Sequence, residues 1–171
     1  MEFDDNFKNL SDLDDETLDS SGLYCIRLKE NSKLPDRYQN ILDSRKIKYI
    51  YIGKATTTLR SRMKEELEHI GPGTFFRSIG CALGYKPMHG HLIGLANQNN
   101  YRFSQDDKMK IIDWLNDNIE VSIVKYEGDF NIEANLIKQY CPLLNITHNP
   151  KKLQELKEDR QNCKRIARGE H

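Results

Sequence analysis

Two short strand-like segments, each with a glycine next to a tyrosine, constrain the fold of this chain most. Residues 21–25 have the sequence SGLYC, and residues 48–54 have the sequence KYIYIGK. Tyrosine favours strands, and a glycine beside a strand usually marks a turn or a close approach of the backbone. The sequence therefore predicts two strands, with a turn or a close approach at Gly22 and at Gly53.

Polar residues that suit phosphodiester chemistry follow these segments. Arg60 and Arg62 come after the second segment, and Glu133 and then Asn145 come much later. Two phenols, a cation, a carboxylate and an amide form a plausible set for hydrolysing a phosphodiester with one metal ion, because a hard cation needs oxygen ligands and the phosphate needs a positive partner.

The order and spacing of these residues resemble the GIY-YIG endonucleases, which include homing nucleases, some restriction enzymes and the 3′-incising domain of bacterial excision repair. Residues 22–24 (GLY) resemble the first motif, with leucine for isoleucine, and residues 51–53 (YIG) match the second. Residues 59–62 (LRSR) resemble the L-x-x-R that opens the first helix of the family. Residues 142–145 (PLLN) resemble the closing P-x-x-N. The resemblance covers residues 20–147.

The resemblance implies a role for each matching residue. Glu133 corresponds to the family metal ligand for Mg²⁺ or Mn²⁺, and Arg62 corresponds to the arginine that steadies the phosphate. A free phenol with a pKa near 10 needs help to act as a base. We expect Tyr24 to take the proton of the attacking water and Tyr51 to orient it, with the reverse assignment left open. The catalytic set expected from the resemblance is Tyr24, Tyr51, Lys54, Arg62, His69, Glu133 and Asn145.

One position departs from the family pattern. Many members carry histidine or tyrosine four residues after the arginine as a proton carrier, whereas this chain has Glu66 there and His69 one turn further on. Either His69 takes the role, or Glu66 does, or the function is absent.

The expected fold is α/β, a small three-stranded and mainly antiparallel sheet flanked by helices, with a helical insertion. Residues 1–20 form an acidic lead-in, expected to be a largely solvated tail with one short helix, or else a flap that competes with DNA phosphates. Residues 21–171 form a single domain with an insertion at about 74–118 and a C-terminal helix.

The residue patterns predict the elements of this domain. Strands are expected at residues 23–28, 47–53 and 120–126, and the second strand would place Tyr49 and Tyr51 on one face because residues two apart share a face. A short helix is expected near residues 37–42, and longer helices at residues 57–69, 104–116, 131–140 and 150–167, the last beginning at Pro150. The first long helix would bury Leu59, Met63, Leu67 and Ile70, and the next would bury Met109.

Composition limits the functional classes. The chain has 171 residues, 37% of them hydrophobic and 30% charged, and no window is apolar enough to span a membrane. The four cysteines are scattered without a C-x-x-C pair, which is typical of reduced thiols. The acidic N-terminal stretch is unlike a secretory signal. We therefore expect a cytoplasmic protein with no membrane partner.

The formal net charge is +0, which hides an acidic lead-in and a basic remainder. A basic remainder can still hold a polyanion, and side chains that reach base edges are needed to recognise sequence. We expect DNA as the partner of a monomer or homodimer. The expected nucleic-acid contacts are Arg60, Arg77, Asn99, Tyr101, Arg102, Lys152, Lys164 and Arg168.

The insertion favours a restriction or defence nuclease, because residues 97–102 are rich in asparagine, glutamine and arginine. Two alternatives remain at this point. One is a structure-specific repair nuclease, and the other is a non-catalytic module that binds nucleic acid or a partner on the same fold.

Overall fold

The central feature is a three-stranded antiparallel sheet in the order β2-β1-β3. The computed structural model describes Phe3 and residues 6–170, so Glu2, Asp4 and Asp5 of the acidic lead-in lie outside the described residues. The strands are β1 (Gly22–Leu28), β2 (Tyr51–Ala55) and β3 (Ile119–Lys125). β1 pairs Tyr24 with Gly53 of β2 on one side and with Ile123 of β3 on the other. The predicted α/β class is confirmed.

Seven α-helices surround the sheet in the described part of the chain. They follow the predicted order, with inserted helices between the second and third strands. They are α1 (Asp15–Leu18), α2 (Asp36–Ser44), α3 (Leu59–Glu68), α4 (Thr74–Ala82), α5 (Gln105–Asn118), α6 (Ile132–Tyr140) and α7 (Gln154–Ala167). None of the helices in the described residues is long and apolar enough to cross a membrane.

Side-chain caps define where α3 and α5 begin. Thr58 Oγ1 accepts a hydrogen bond from the Ser61 amide at 3.2 Å, and Ser104 Oγ accepts one from the Asp107 amide at 3.1 Å. The prediction that Pro150 opens α7 was wrong. Asn149 accepts a hydrogen bond from the Lys151 amide at 2.8 Å and so holds a separate turn, and α7 starts only at Gln154.

The two faces of the sheet carry different cores. Tyr24, Ile26 and Tyr51 belong to a large cluster that includes Leu59 and Met63 of α3, and this side is called the α3 face. Leu23, Cys25, Tyr49 and Ile52 pack with Leu136 and Ile137 of α6, and this side is called the α6 face.

Tyr49 and Tyr51 therefore lie on opposite faces, and the prediction that they share one was wrong. β2 begins only at Tyr51, and residues 47–50 lie outside the strand. The alternation of a regular strand does not extend back to Tyr49, because that alternation requires continuous extended backbone.

Two predicted buried side chains are exposed. Ile70 is 53% exposed because α3 ends at Glu68 and His69 takes a left-handed conformation with φ 54°. Met109 is 45% exposed because α5 buries the adjacent stripe of Ile111 and Leu115 instead. The expected burial of Leu59, Met63 and Leu67 is confirmed.

The described part of the lead-in packs on the domain, so the expectation of a solvated tail was wrong. Lys8 and Val121 exchange two backbone hydrogen bonds of 3.0 and 2.9 Å. Phe3 is buried against Tyr49, with their ring centroids 6.1 Å apart. Burial of an aromatic ring favours this docked position of the lead-in.

Candidate active site

The two motif glycines make room for the site. A Cβ on Gly53 would lie 2.3 Å from both Cζ and Oη of Tyr24, and a Cβ on Gly22 would lie 2.3 Å from the carbonyl oxygen of Val124. Cβ atoms do not approach other atoms this closely, so any side chain at these positions would displace the Tyr24 ring or separate β1 from β3. Glycine at Gly53 thus lets the Tyr24 ring lie across β2.

The two tyrosines lie together on the α3 face. Their ring centroids are 6.2 Å apart, and the Tyr51 ring also packs 5.2 Å from Phe75. Tyr24 is 1% exposed and Tyr51 is 9% exposed. Burial, followed by the charge of Glu66, raises the pKa of both phenols above the ordinary value, so neither is a phenolate in this environment.

Glu66 is the carboxylate that meets this pair. Its Oε1 accepts a hydrogen bond from the Tyr24 hydroxyl at 3.1 Å, and its Oε2 accepts one from the Phe75 amide at 2.6 Å. The Phe75 amide belongs to the first turn of α4, where the helix dipole favours a negative charge. Burial raises the pKa of Glu66, while the Phe75 hydrogen bond and the nearby Arg62 oppose that shift.

A third glycine brings α4 close enough for this contact. A Cβ on Gly73 would lie 2.0 Å from the carbonyl oxygen of Glu65, so the start of α4 packs directly on the end of α3. The Phe75 amide reaches Glu66 because of that close packing.

His69 lies in a separate aromatic pocket. Its ring stacks on Phe76 with centroids 4.6 Å apart and lies 5.9 Å from Phe103. Neither ring nitrogen has a hydrogen-bond partner in the described structure. Burial, and then the positive charges of Arg102 and Arg77, lower the pKa of His69 to about 4. The structure therefore brings Glu66, and not His69, into contact with the tyrosines.

The two candidate arginines of α3 have different partners. Arg62 Nη1 contacts Glu65 Oε2 at 2.8 Å and lies 3.9 Å from Glu66 Oε1, beside the tyrosine pair. Arg60 points towards the lead-in and pairs with Asp19 at 2.6 Å and with Asp15 at 2.9 Å. Arg62 is thus the arginine beside the tyrosines, as the motif comparison predicts.

Glu133 lines a groove beside Tyr51. The groove, with a volume of about 180 Å³, is also bordered by Asn145, His148 and Arg160. Lys54 Nζ lies 3.0 Å from Glu133 Oε2, and the Glu133 side chain is 17% exposed. The described residues contain no group of three acidic, histidine or cysteine side chains able to hold a metal by themselves. A metal at Glu133 would therefore need substrate and water oxygens to complete its coordination.

Asn145 is a structural partner of β2. Its Nδ2 donates to the Ile52 carbonyl and its Oδ1 accepts from the Ile52 amide, both at 2.9 Å. β2 is an edge strand of the sheet, so this side chain satisfies backbone groups that have no strand partner on that side. Asn145 thereby positions Tyr51 and Gly53, which flank Ile52.

The expected nucleic-acid contacts do not form one surface. Tyr101 is fully buried, with its hydroxyl 3.0 Å from Cys81 Sγ, so the expectation that it contacts a base was wrong. Arg77 is only 6% exposed, and its Nη1 donates to Asn100 Oδ1 at 2.6 Å. Lys164 and Arg168 are partly buried on α7, whereas the exposed members are Asn99, Arg102 and Lys152.

Arg160 is a site residue that the sequence pattern did not single out. Arg160 lines the groove with Tyr51 and Glu133. The spacing of basic residues could have predicted its place. Arg160, Lys164 and Arg168 recur every four residues and so form one basic stripe of a helix.

One comparison with known proteins gives a family match for most of the chain. The family model described as the GIY-YIG catalytic domain matches residues 22–162. That range begins at the first motif glycine and includes Glu66, Glu133, Asn145 and Arg160. Searches of curated proteins and of solved structures give no significant match.

Proposed function

The chain belongs to the GIY-YIG endonuclease superfamily, and on this premise we propose that it is a divalent-metal-dependent DNA endonuclease. The single observation that carries the proposal is the hydrogen bond from Tyr24 to the buried Glu66, beside Tyr51 and Arg62. This contact provides a path for a proton at the side of the groove that holds Glu133.

Glu133 is the residue that would hold the metal. One carboxylate with substrate phosphate and water oxygens fits Mg²⁺ or Mn²⁺, which prefer oxygen ligands and keep several waters. A bound divalent ion polarises the phosphate and lowers the pKa of a bound water. Lys54, now 3.0 Å from Glu133, can turn to the phosphate once the carboxylate has another partner.

Tyr24 and Glu66 act as a pair in proton transfer. Tyr24 accepts the proton of the attacking water while its own hydroxyl proton moves across the 3.1 Å hydrogen bond to Glu66. Tyr24 gains one proton as it gives up another and so does not become a phenolate, while Glu66 becomes a neutral carboxylic acid. The raised pKa of Tyr24 is therefore no obstacle. The raised pKa of Glu66 makes this carboxylate a better proton acceptor than an exposed one.

Arg62 and Tyr51 position the substrate. Arg62 stays charged and presents a planar fork, and the nitrogens not bonded to Glu65 can contact a phosphate oxygen. Tyr51 lines the groove and orients the water towards phosphorus. Asn145 keeps Tyr51 in place through Ile52.

We favour a restriction or defence nuclease as the biological type. The loop between α4 and α5 exposes Asn97, Asn99 and Arg102, whose side chains suit hydrogen bonds to base edges. A comparison of cleavage rates on duplex, flap, bubble and single-stranded DNA tests this. Preference for a plain duplex with a defined sequence supports the proposal, and preference for flaps or bubbles would instead support a repair nuclease.

Plasmid cleavage with Mg²⁺ or Mn²⁺ tests the metal assignment. We expect Glu133→Ala to abolish cleavage and to weaken Mn²⁺ binding measured by calorimetry. Glu127→Ala is the matched control, because Glu127 is an exposed glutamate whose side chain is 73% accessible. Cleavage that survives Glu133→Ala would remove the assignment.

Substitution of Glu66 tests the proton path. We expect Glu66→Gln to reduce kcat about 100-fold or more, since loss of a positioned proton acceptor typically costs 10²- to 10⁴-fold. Glu66→His should restore part of the rate with a changed pH profile, because imidazole can also accept a proton. Glu68→Gln, at an exposed glutamate of the same helix, should leave the rate unchanged. Equal rates for Glu66→Gln and wild type would disprove the path.

A further inference from the structure

Four cations form a cluster at the contact between α4 and α7. They are Arg77 on α4 and Arg160, Lys164 and Arg168 on and just beyond α7, and they are called the α4–α7 cation cluster. We propose that this cluster is a second anion site, which binds a non-scissile backbone phosphate of the nucleic acid whose cleavage is proposed above. The inference rests on the proposed function for the nature of the polymer.

The fold brings these charges together. Arg160, Lys164 and Arg168 follow one another at intervals of four, so their side chains are neighbours along one stripe of the helix. Arg77 joins them because α4 packs directly against α7, where Cys81 Sγ lies 2.8 Å from Cys163 Sγ. The cluster therefore comes from two segments that are distant in the sequence.

No ion pair in the described part of the chain neutralises this cluster, and the carboxylate charge that acts most on Arg77 is that of Glu66. Among the described residues, no carboxylate forms an ion pair with any of its four members, although most other arginines have one: Arg27, Arg37, Arg60, Arg62 and Arg165. The Arg77 and Arg168 guanidinium groups donate hydrogen bonds to neutral oxygens, to Asn100 Oδ1 at 2.6 Å and to the Gln98 carbonyl at 3.3 Å.

The burial of these charges makes the missing ion pair significant. Arg77 is only 6% exposed, and its Nε has no hydrogen-bond partner within the described structure. The Nε of Arg168 is likewise buried and unpartnered. Withdrawing a cation from water without an opposite charge costs stability, so an arrangement of this kind indicates that a ligand supplies the negative charge.

The charges also act on one another. Burial, and after it the charges of Arg160, Arg168 and Arg77, lower the pKa of Lys164. Burial likewise lowers the pKa of Arg77, and the charge of Arg160 lowers it further. An anion at the cluster would relieve both the repulsion and the loss of solvation.

The position of Arg160 determines what kind of anion suits the cluster. Arg160 lines the same groove as Tyr51 and Glu133, so the cluster continues the catalytic groove. A polymer with a phosphate at Glu133 and Arg62 would place another phosphate of its backbone towards the cluster. This continuity favours a backbone phosphate over a free phosphorylated metabolite.

The first experiment measures the site without catalysis. We expect pyrophosphate to raise the Tm of the wild type at low ionic strength and to have no such effect on Lys164→Met combined with Arg160→Gln. Without added anion, that double variant should be as stable as the wild type or more stable, because it removes repulsion. Arg37→Gln, at an exposed arginine paired with Glu158 and Asp159, is the matched control. An equal pyrophosphate effect on all three proteins would overturn the anion site.

The second experiment identifies the phosphate. A series of duplex oligonucleotides is prepared, each with one neutral methylphosphonate linkage at a different position of the backbone. Their affinity is measured for the Glu133→Ala variant, which is expected to bind without cleaving. We expect one non-scissile linkage to weaken binding about tenfold in this protein and to have no effect once Lys164→Met is added. The logarithm of the binding constant falls linearly with the logarithm of the salt concentration, and the steepness of that line should decrease by about one unit for each cation removed.

The outcomes separate this inference from the proposed function. Suppose that pyrophosphate binds, but each methylphosphonate linkage lowers the affinity for DNA equally with and without Lys164→Met. The cluster then binds a small phosphate ligand, and the backbone assignment is overturned. If the wild type never cleaves DNA but the linkage effect depends on Lys164, the catalytic proposal fails while the phosphate site stands.

Discussion

The two faces of the sheet carry the same residue type in contrasting surroundings. On the α6 face, Tyr49 packs in an apolar core that includes Leu136 and Ile137. Its ring centroid lies 6.1 Å from that of Phe3, 5.9 Å from that of Phe7 and 5.1 Å from that of Tyr140. On the α3 face, Tyr51 lies beside Tyr24, whose hydroxyl is bonded to the buried Glu66. One face is an ordinary aromatic core, and the other encloses a carboxylate.

This contrast shows where stability has been given up. A buried carboxylate costs free energy unless it is fully hydrogen-bonded, whereas aromatic rings stabilise a core without such a cost. Glu66 has two hydrogen bonds, yet its pKa is still raised by burial. A polar group kept at this cost is more readily explained by function than by packing.

The largest expected effect comes from Gly53→Ala. The new Cβ would lie 2.3 Å from Tyr24 Oη, so the ring must leave Glu66. We expect loss of detectable cleavage and destabilisation by roughly 2–4 kcal/mol, as for overpacking combined with a broken buried hydrogen bond. Urea unfolding and plasmid cleavage measure the two effects. Gly128→Ala, whose Cβ would meet only the Tyr126 ring, should cost less, and equal effects of the two substitutions would contradict the argument.

Removal of single hydroxyls tests the comparison of the faces directly. We expect Tyr24→Phe and Tyr51→Phe each to lower kcat about 100-fold, because both hydroxyls serve the reaction. Tyr49→Phe on the α6 face should change kcat less than about twofold, because that ring is part of the apolar core on the face away from Glu66. Steady-state cleavage assays supply the values. If Tyr49→Phe lowered kcat as much as Tyr51→Phe does, the proposed functional difference between the two faces would be disproved.

A smaller effect is expected from His69, which lies in the pocket formed by Phe76 and Phe103. Its titration should change the stability of the protein and not the cleavage rate. The pKa of His69 is lowered to about 4 in the folded protein, so the unfolded chain binds the additional proton between about pH 6.5 and pH 4. The stability contributed by neutral His69 is thus complete above pH 6.5 and is lost as the pH falls towards 4, by about 3 kcal/mol.

Urea unfolding between pH 4 and pH 8 measures how the free energy of unfolding depends on pH. We expect this dependence to be weaker in His69→Asn, since asparagine tolerates the left-handed backbone and does not titrate. His148→Asn is the control, because His148 has a similar φ of 62° but is exposed. An unchanged pH dependence in His69→Asn would show that other groups cause the acid loss of stability.

The smallest expected effect is on the stability of Glu66→Gln. Because the pKa of Glu66 is raised in the folded protein, its contribution to the free energy of unfolding is largest at low pH. That contribution is lost as the pH rises through the pKa of Glu66 in the folded protein. At pH 7 the glutamine variant should therefore be as stable as the wild type or more stable, even though its cleavage rate falls. Thermal unfolding at pH 7 tests this. A clear loss of stability would favour a structural role for the carboxylate.

Local pattern was sufficient for part of the site. The glycine and tyrosine positions in residues 22–24 and 51–53 predict two strands, and β1 and β2 are present there. The spacing of Leu59, Met63 and Leu67 predicts the buried stripe of α3, which the structure confirms. Such features follow from a period of 2 or 3.6 residues within a single element, so neighbouring residues determine them.

The sequence by itself thus determined the strands, most of the helices, their order and the family, because each depends on residues close together in the chain or on a fixed order of motifs. It did not predict that Thr74–Ala82 forms the helix α4. The tertiary structure decided which polar groups meet. Residues 47–50 leave the strand and separate Tyr49 from Tyr51, and the close packing of α4 on α3 gives Glu66 a partner in Phe75. Arg77 and Arg160 lie 83 positions apart in the sequence, and only the packing of α4 on α7 brings their charges together.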